Sequence, residues 1–444
     1  MPAARLLQGL ALATFVLLGG LLAPPLTWLG AACDAGLLIA AAVDLRRAAR
    51  TPLSAARRWP PLLVQGAAGE VVVTIGNPRP CAVTVLLREG LHPALAPAPL
   101  RRRARLPGAA EITWSLRLVP RRRGEHATGP LTVRVLGPWG LAWAQRDLLE
   151  GERVRVFPQV RWEGRVGQLL TLAQRRRMGQ LPMRTPGLGS EPYALRPYRP
   201  GDPLAKIHWK ATARHGRLVS REDTWERGSR LVVLIDCART MAAAAGERSK
   251  LDYALAAALA LTRVAAARGD QVTLVAFSDR IDRTVRVRPG GQGAARAYAA
   301  LFDLEARLCE PAYDLAVETV SRVEPRRGVA VLLTSVVDLA AADLLRESLL
   351  RLGSRHRALL VNLEDPELHR LAADPPATPA AAFAQVASLE IALANRRLAR
   401  HLRRAAVRVV TSAADRLALS TLEAYLALQR GRGPGDLGLA RHAG

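Results

Sequence analysis

Leu231-Val232-Val233-Leu234-Ile235-Asp236 is an unbroken apolar run ending on a carboxylate, and its reading decides the fold of the larger part of this chain. A short apolar run rich in β-branched residues is what a strand buried on both faces requires, since neither side meets water. Lys250–Ala267 follows, rich in Ala and Leu with a helical rhythm, and then a second apolar run, Gln271–Phe277. The pattern repeats: Val329–Leu333, Ala358–Asn362 and Val407–Val410 read as strands, with helix-like stretches at Ala294–Leu308, Tyr313–Val323, Leu339–Leu352 and Ala381–Leu402. Strands alternating with helices predict a doubly wound, mostly parallel, Rossmann-like sheet over 231–412. Right-handed crossovers bring the C-terminal ends of its strands, Asp236 included, to one edge, where such sheets bind ligands. Residues 413–444 read as a C-terminal helix and a Gly-, Arg- and Pro-rich disordered tail.

Upstream the texture changes. Residues 55–160 carry strand signals without helical ones: Glu70–Ile75 before the turn cluster Gly76-Asn77-Pro78, then Ala82–Leu87, Glu111–Leu118, Leu131–Leu136 and Val154–Phe157. That spacing predicts a small all-β, sandwich-like module. Gly137-Pro138-Trp139-Gly140 reads as a turn with Trp139 as a packing residue, and Arg101-Arg102-Arg103 as a solvated loop face, with phosphate binding the minority reading. Residues 171–230 form a basic, Gly- and Pro-punctuated segment with sparse strand signals.

At the start, Leu6–Ala23 and Leu26–Val43 are each 18 mostly apolar residues, separated by Pro24-Pro25. At about 1.5 Å per residue each reaches roughly 27 Å, the thickness of a bilayer core. A two-helix transmembrane hairpin over 1–45 is the expectation. Arg5 before it and Arg46, Arg47, Arg50, Arg57 and Arg58 after it put both ends in the cytoplasm by the positive-inside rule, with the anchor in the plasma membrane. The rival reading is a cleaved signal peptide, to which Gly30-Ala31-Ala32-Cys33 adds a hint of a lipoprotein site; Gly30 stands where Leu is normally required. Asp34, inside the second span, is read as facing a partner helix or the interface.

Composition excludes whole classes. Of 444 residues, 50% are hydrophobic and 23% charged, which rules out a chain disordered throughout. Mean hydropathy is only +0.07, so a polytopic membrane protein is excluded as well. The net charge is +26, and all but three of the 64 basic residues are arginine, which reflects coding bias as much as a basic surface. Cys33, Cys81, Cys237 and Cys309 lie far apart, without the CxxC spacing of a zinc site, and read as free thiols.

The most distinctive stretch runs from Leu195 to Leu218 and places Arg196, Tyr198, Pro200, Gly201, Asp202, Ile207, Trp209, Lys210, Ala213, Arg214 and Leu218 in a long, irregular pattern. It resembles the hallmark of the family called "domain of unknown function 58". The apolar start, Arg123-Gly124, Gly137-Pro138-Trp139-Gly140-Leu141 and the later Leu-Ile-Asp236 agree with that family's layout, from the anchor to about residue 412. Physically, Pro200-Gly201-Asp202 is a turn, and Ile207 and Trp209, two apart, would share one strand face and bury together. Two readings follow. In one, Asp202, Ile207 and Trp209 form a structural clasp. In the other, the surrounding cations, Arg196, Arg199, Lys206, Lys210, Arg214 and Arg217 among them, form a docking surface for an acidic partner. The clasp is favoured for the first three residues and docking for the peripheral arginines.

The resemblance also implies a von Willebrand factor A (vWA)-like domain. In that domain an Asp-x-Ser-x-Ser loop, with a Thr and an Asp from later loops, holds Mg²⁺. Here Asp236 and Thr240 fit, but Ala238 has no side-chain oxygen, Tyr313 replaces the Thr, and Ser335 replaces the last Asp. Mg²⁺ demands hard oxygens near an octahedron. The expectation is therefore a degenerate site without tight metal, Asp314 and Asp338 being the candidate rescuers and a helix cap the alternative role of Asp236. The resemblance further implies an interaction or adaptor protein that works with a MoxR-type AAA+ ATPase in chaperone-like assembly or envelope stress. No GxxxxGK[ST] loop occurs in the chain, so ATP-driven work must come from the partner. Two competitors remain. One is a metal-dependent hydrolase using Asp236, Asp279 and Asp338, which lacks a general base. The other is an anionic-lipid or nucleic-acid binder; with aromatics at 4%, the stacking platforms of nucleic-acid grooves are missing.

Overall fold

The computed structural model describes residues 1–19, 25–96, 100–160, 164–177, 191–198, 207–224, 229–289, 291–336, 339–364, 366–376, 378–405 and 407–429. They form two compact units, Met1–Phe157 and Pro158–Gly444.

The first unit opens with two apolar helices, α1 (Ala4–Leu18) and α2 (Pro25–Ala49). They pack antiparallel: a Cβ on Gly30 would strike the Leu17 backbone at 2.7 Å, and one on Gly9 would meet Leu37. By length and composition α2 alone, among the described residues, is long and apolar enough to cross a membrane. α1 covers 15 residues rather than the expected 18, residues 20–24 lying outside the described ones. Asp34 is half-buried on α2, with Oδ1 lacking a hydrogen-bond partner.

Ten strands follow: β1 (Ser54–Arg58), β2 (Leu63–Val64), β3 (Gly69–Asn77), β4 (Val83–Glu89), β5 (Leu100–Leu106), β6 (Ala110–Leu118), β7 (Gly124–Ala127), β8 (Leu131–Leu136), β9 (Trp143–Leu149) and β10 (Arg153–Phe157). They make sheets ordered β1-β3-β6, β5-β4-β8-β9 and β2-β10-β7. Val71, Val73 and Ile75 alternate inward on β3, as do Trp114 and Leu116 on β6 and Val133 and Val135 on β8, and these join in one core cluster. Each such side chain contributes about 2 kcal/mol on leaving water. The Arg101-Arg102-Arg103 run is a correction: it is not a loop but part of β5, an edge strand whose ladder pairs Leu87 with Arg102. Exposed arginines on an edge strand keep it from pairing with other chains. Arg57, counted in sequence among the flanking charges, is turned inward and pairs with buried Glu89 at 2.8 Å. Burial pushes the Glu89 carboxyl up to about 7, against the pull of Arg57.

The second unit comprises α3 (Gly164–Arg177), β11 (Glu191–Pro197), α4 (Trp209–His215), β12 (Val219–Thr224), β13 (Arg230–Asp236), α5 (Arg239–Ala242), β14 (Ala244–Ala245), β15 (Arg248–Ser249), α6 (Lys250–Arg268), β16 (Gln271–Phe277), β17 (Ile281–Val287), α7 (Gly291–Leu301), α8 (Tyr313–Val323), β18 (Val329–Thr334), α9 (Leu339–Arg355), β19 (Arg357–Leu363), α10 (Pro366–Ala373), α11 (Pro379–Arg404), β20 (Arg408–Ser412) and α12 (Leu417–Gln429). Its main sheet runs β17-β16-β13-β18-β19-β20, parallel except for the antiparallel edge strand β17. Alternate residues of β13 feed two cores. Leu231, Val233 and Ile235 face a cluster with α6 and α12, while Val232 and Leu234 face one with α8 and α9. α6 is buried almost all round because its alanines let neighbours approach closely. A Ser249–Asp252 capping box starts it and Gly269, at φ 94°, ends it.

Two elements lie differently from the sequence reading. α12, set beyond the boundary at 412, is packed into this unit: Tyr425 is fully buried and donates to Asp270 Oδ2 at 2.7 Å. α3 straddles the expected start of the basic segment at 171, and Val166, Leu170 and Ala173 place one of its faces in the core cluster with α6 and α12. The tail from 430 lies outside the described residues.

Candidate functional site

The C-terminal edge of the parallel sheet gathers Asp236 from β13, Thr334 and Ser335 from the end of β18, Asn362 and Leu363 from β19, and Tyr313 from the start of α8. Asp236 is fully buried, and both of its oxygens are engaged. Oδ1 accepts from the Ala238 N–H at 2.8 Å. Oδ2 accepts from the Thr334 hydroxyl at 2.6 Å and from the Tyr313 hydroxyl at 3.4 Å. Tyr313 and Thr334 are themselves 3.1 Å apart, which closes a triangle. Burial raises the Asp236 carboxyl to about 6, although these donors pull it back. Burial, reinforced by the Asp236 charge, raises the Tyr313 phenol above its ordinary range. The Tyr313 ring stands edge-on to Phe277, with centroids 5.9 Å apart.

Beside this triangle lies a buried lysine. Lys250 Nζ donates to Ser335 Oγ at 3.2 Å, and Ser335 Oγ donates to the Leu363 carbonyl at 3.0 Å. Asn362 Oδ1 accepts from the Val336 N–H at 2.9 Å. Two ion pairs rim the edge, Arg239–Glu310 at 2.8 Å and Arg307–Asp279 at 3.7 Å. Asp279, hydrogen-bonded to Ser278 and near Arg307, is held below the usual carboxylate range.

Asp236 spends both oxygens internally, and Ser335 is pinned between an ammonium and a carbonyl. Thr240 Oγ1, an oxygen of the expected set, is buried and without a hydrogen-bond partner. Asp314 is exposed in the first turn of α8, and Asp338 lies outside the described residues. Among the described residues no group of three or more His, Cys, Asp or Glu could hold a metal. The cavity flanked by Tyr313, Phe277 and Leu349 measures about 10 Å³, the lower limit for a single water.

The motif segment folds as a β11–β12 pair with α4 beside it. Arg196 pairs with Ser220 in the ladder, and the Tyr198 N–H donates to the Leu218 carbonyl at 2.9 Å. Ile207 bridges to Ser220 and is buried. Trp209 is a correction. It does not share a strand face with Ile207; it opens α4 and is 68% exposed. His208 accounts for the break, because its Nδ1 accepts from the Ala211 N–H and caps the helix. Lys210, Arg214 and Arg217 are exposed, whereas Arg199, Pro200, Gly201 and Asp202 lie outside the described residues. Neither the His208 cap nor Tyr313 as a partner of Asp236 is read from the sequence, and nothing local announces the second, a contact across 77 residues.

Residues 194–408 match the family model described as "Protein of unknown function DUF58", so the motif pair and most of the main sheet are similar to that family. Uncharacterized proteins of Mycobacterium bovis and Mycobacterium tuberculosis are 27% identical over 183 residues, 41% of this chain. The match spans 57% of the length of those relatives. Among solved structures, a β-glucosidase from Listeria innocua matches 24% of this chain and 16% of its own at 17% identity and a TM-score of 0.17. A GH20 exo-β-N-acetylglucosaminidase from Vibrio harveyi matches 81% and 75% at 10% identity and a TM-score of 0.22. Scores that low mark no common fold, and no glycosidase chemistry follows from them.

Proposed function

We propose that this chain is a membrane-anchored adaptor without catalytic machinery of its own. In this reading it presents the basic face of its motif segment to an acidic surface of a MoxR-type AAA+ ATPase, in chaperone-like assembly or envelope function. The single observation that carries the docking role is Trp209, 68% exposed at the start of α4, in a segment that also exposes Lys210, Arg214 and Arg217. Trp and Arg are the side chains that dominate interface energetics, and a solvated tryptophan in a cation-rich segment suits an acidic partner. The internal engagement of Asp236 supports the non-enzymatic part, and with it the absence of a tightly held Mg²⁺. The length and apolarity of α2 support the anchor, and the arginines that follow it support a cytoplasmic soluble part.

The test is capture from detergent-solubilised membranes with the full chain as bait, under conditions that trap ATP-bound states. A co-purifying AAA+ ATPase whose recovery falls at least tenfold with Lys210→Glu/Arg214→Glu or Trp209→Ala is the expected outcome. Equal recovery by the folded variants refutes the docking face, and capture without any AAA+ ATPase refutes the partner.

A further inference from the structure

The first unit holds a joint that neither the anchor nor the docking reading uses. Asp44, near the end of α2, is fully buried, and its carboxylate accepts three backbone N–H groups from the loop before β9. The Trp139 N–H donates to Oδ1 at 2.9 Å, and those of Leu141 and Ala142 donate to Oδ2 at 2.9 and 3.1 Å. The loop's glycines serve this contact. A Cβ on Gly137 would meet Asp44 Oδ2 at 2.2 Å, and Gly140 turns at φ 72°. One turn further on, Ala48 is fully buried within the β core cluster. Arg146 of β9 then caps the helix by donating to the Ala49 carbonyl at 3.2 Å. α1 is tied to the same loop, because the Ala3 N–H donates to the Leu141 carbonyl at 2.9 Å. The apolar helices therefore continue into the β module as one rigid piece and not through a flexible tether.

The joint also fixes a height. From Leu26 to Val43 the helix rises roughly 27 Å, one bilayer core, with Trp28, Leu38 and Ile39 among its exposed apolar side chains. Asp44 and the loop thus fall where hydrocarbon gives way to headgroups. Exposed Arg5, Arg46, Arg47 and Arg50 cluster at that level. The Arg47 guanidinium lies 4.7 Å over the ring of Trp139, which is itself 45% exposed. Arg5 lies against Gly140, 3.4 Å from where a Cβ would stand. An amphipathic indole beside cations, encircling the end of an apolar span, is the composition of a headgroup contact.

We propose that Arg5, Arg46, Arg47, Arg50 and Trp139 form a collar that binds the phosphates of anionic phospholipids, on a joint that seats the β module rigidly against the bilayer. This rests on the membrane reading above. The full chain, purified in neutral detergent, is titrated with phosphatidylglycerol, with phosphatidylcholine and with inorganic phosphate, and bound lipid is read by native mass spectrometry; flotation with vesicles of either lipid runs in parallel. Retention of phosphatidylglycerol over phosphatidylcholine is expected, with no competition from inorganic phosphate at equal concentration. Arg5→Gln/Arg47→Gln, which leaves the Asp44 bonds in place, should lower that preference about 25-fold, roughly fivefold per arginine. Equal retention of the two lipids, an unchanged preference in the variant, or displacement by inorganic phosphate overturns the collar. Failure to float with any vesicle overturns the membrane reading itself, and flotation without lipid preference overturns the collar alone.

Discussion

Replacing Asp236 with Asn tests the buried carboxylate most directly. In the folded chain the carboxyl releases its proton near pH 6, against 3.8 for its ordinary value. Between those two pH values the unfolded chain binds fewer protons than the folded one, so the free energy of unfolding falls as pH rises. The loss begins above the ordinary value and is complete once pH has passed the folded one. Two pKa units correspond to about 3 kcal/mol, an upper figure for a group this buried. Asn keeps the shape of the side chain and cannot titrate, so its stability should be flatter over the same window. The assay is urea unfolding of the full chain from pH 4 to 8, with the other three cysteines replaced and modification of Cys237 as the probe. Cys237 is fully buried and adjoins Asp236, so its reaction reports opening of that strand end. The wild-type minus Asp236→Asn difference should shift against the wild type by about 3 kcal/mol between pH 4 and 7.5. A difference constant to within about 0.5 kcal/mol would mean that the carboxyl titrates normally, and the account of the site would be wrong.

Two further predictions concern the same geometry. Thr334→Val removes the shortest bond to the carboxylate and should cost about 2–3 kcal/mol at pH 7.5, whereas Tyr313→Phe should cost about 1 kcal/mol, its hydroxyl being 3.4 Å away; urea midpoints rank the two, and the reverse order refutes the assignment. Gly137→Ala forces a Cβ against Asp44, so the joint should loosen: spin labels on exposed Cys33 and Cys81, with the other two cysteines replaced, should give one narrow distance in the parent and a broad distribution in the variant.

Much of the α/β unit was legible because its signals are local. Gln271–Phe277 and Tyr313–Val323 stand in the structure with the boundaries that apolar runs and helical rhythm predict. β17 was missed although Val285 and Val287 alternate with polar residues, because a single edge strand carries only a weak period-two signal. β5 reads as a loop in sequence because its arginines are solvated; an edge strand can turn most of its side chains to water, so composition misleads there. The two-residue spacing from Ile207 predicts a buried Trp209, whereas the cap at His208 starts a helix there and turns it outward.

By itself the sequence determined what short-range chemistry controls: most of the buried strands and the helices between them in the α/β unit, that β13 ends on a carboxylate, and that an apolar stretch lies near the start. Tertiary structure alone decided what that chemistry meets. Asp44 and the Trp139 loop lie 95 residues apart, and Asp236 and Thr334 lie 98 apart. A carboxylate looks the same in sequence whether it holds a metal, caps a helix or clamps a distant loop. Its role is set by which donors the packed backbone delivers to its oxygens, and only the folded chain brings those donors within hydrogen-bonding distance.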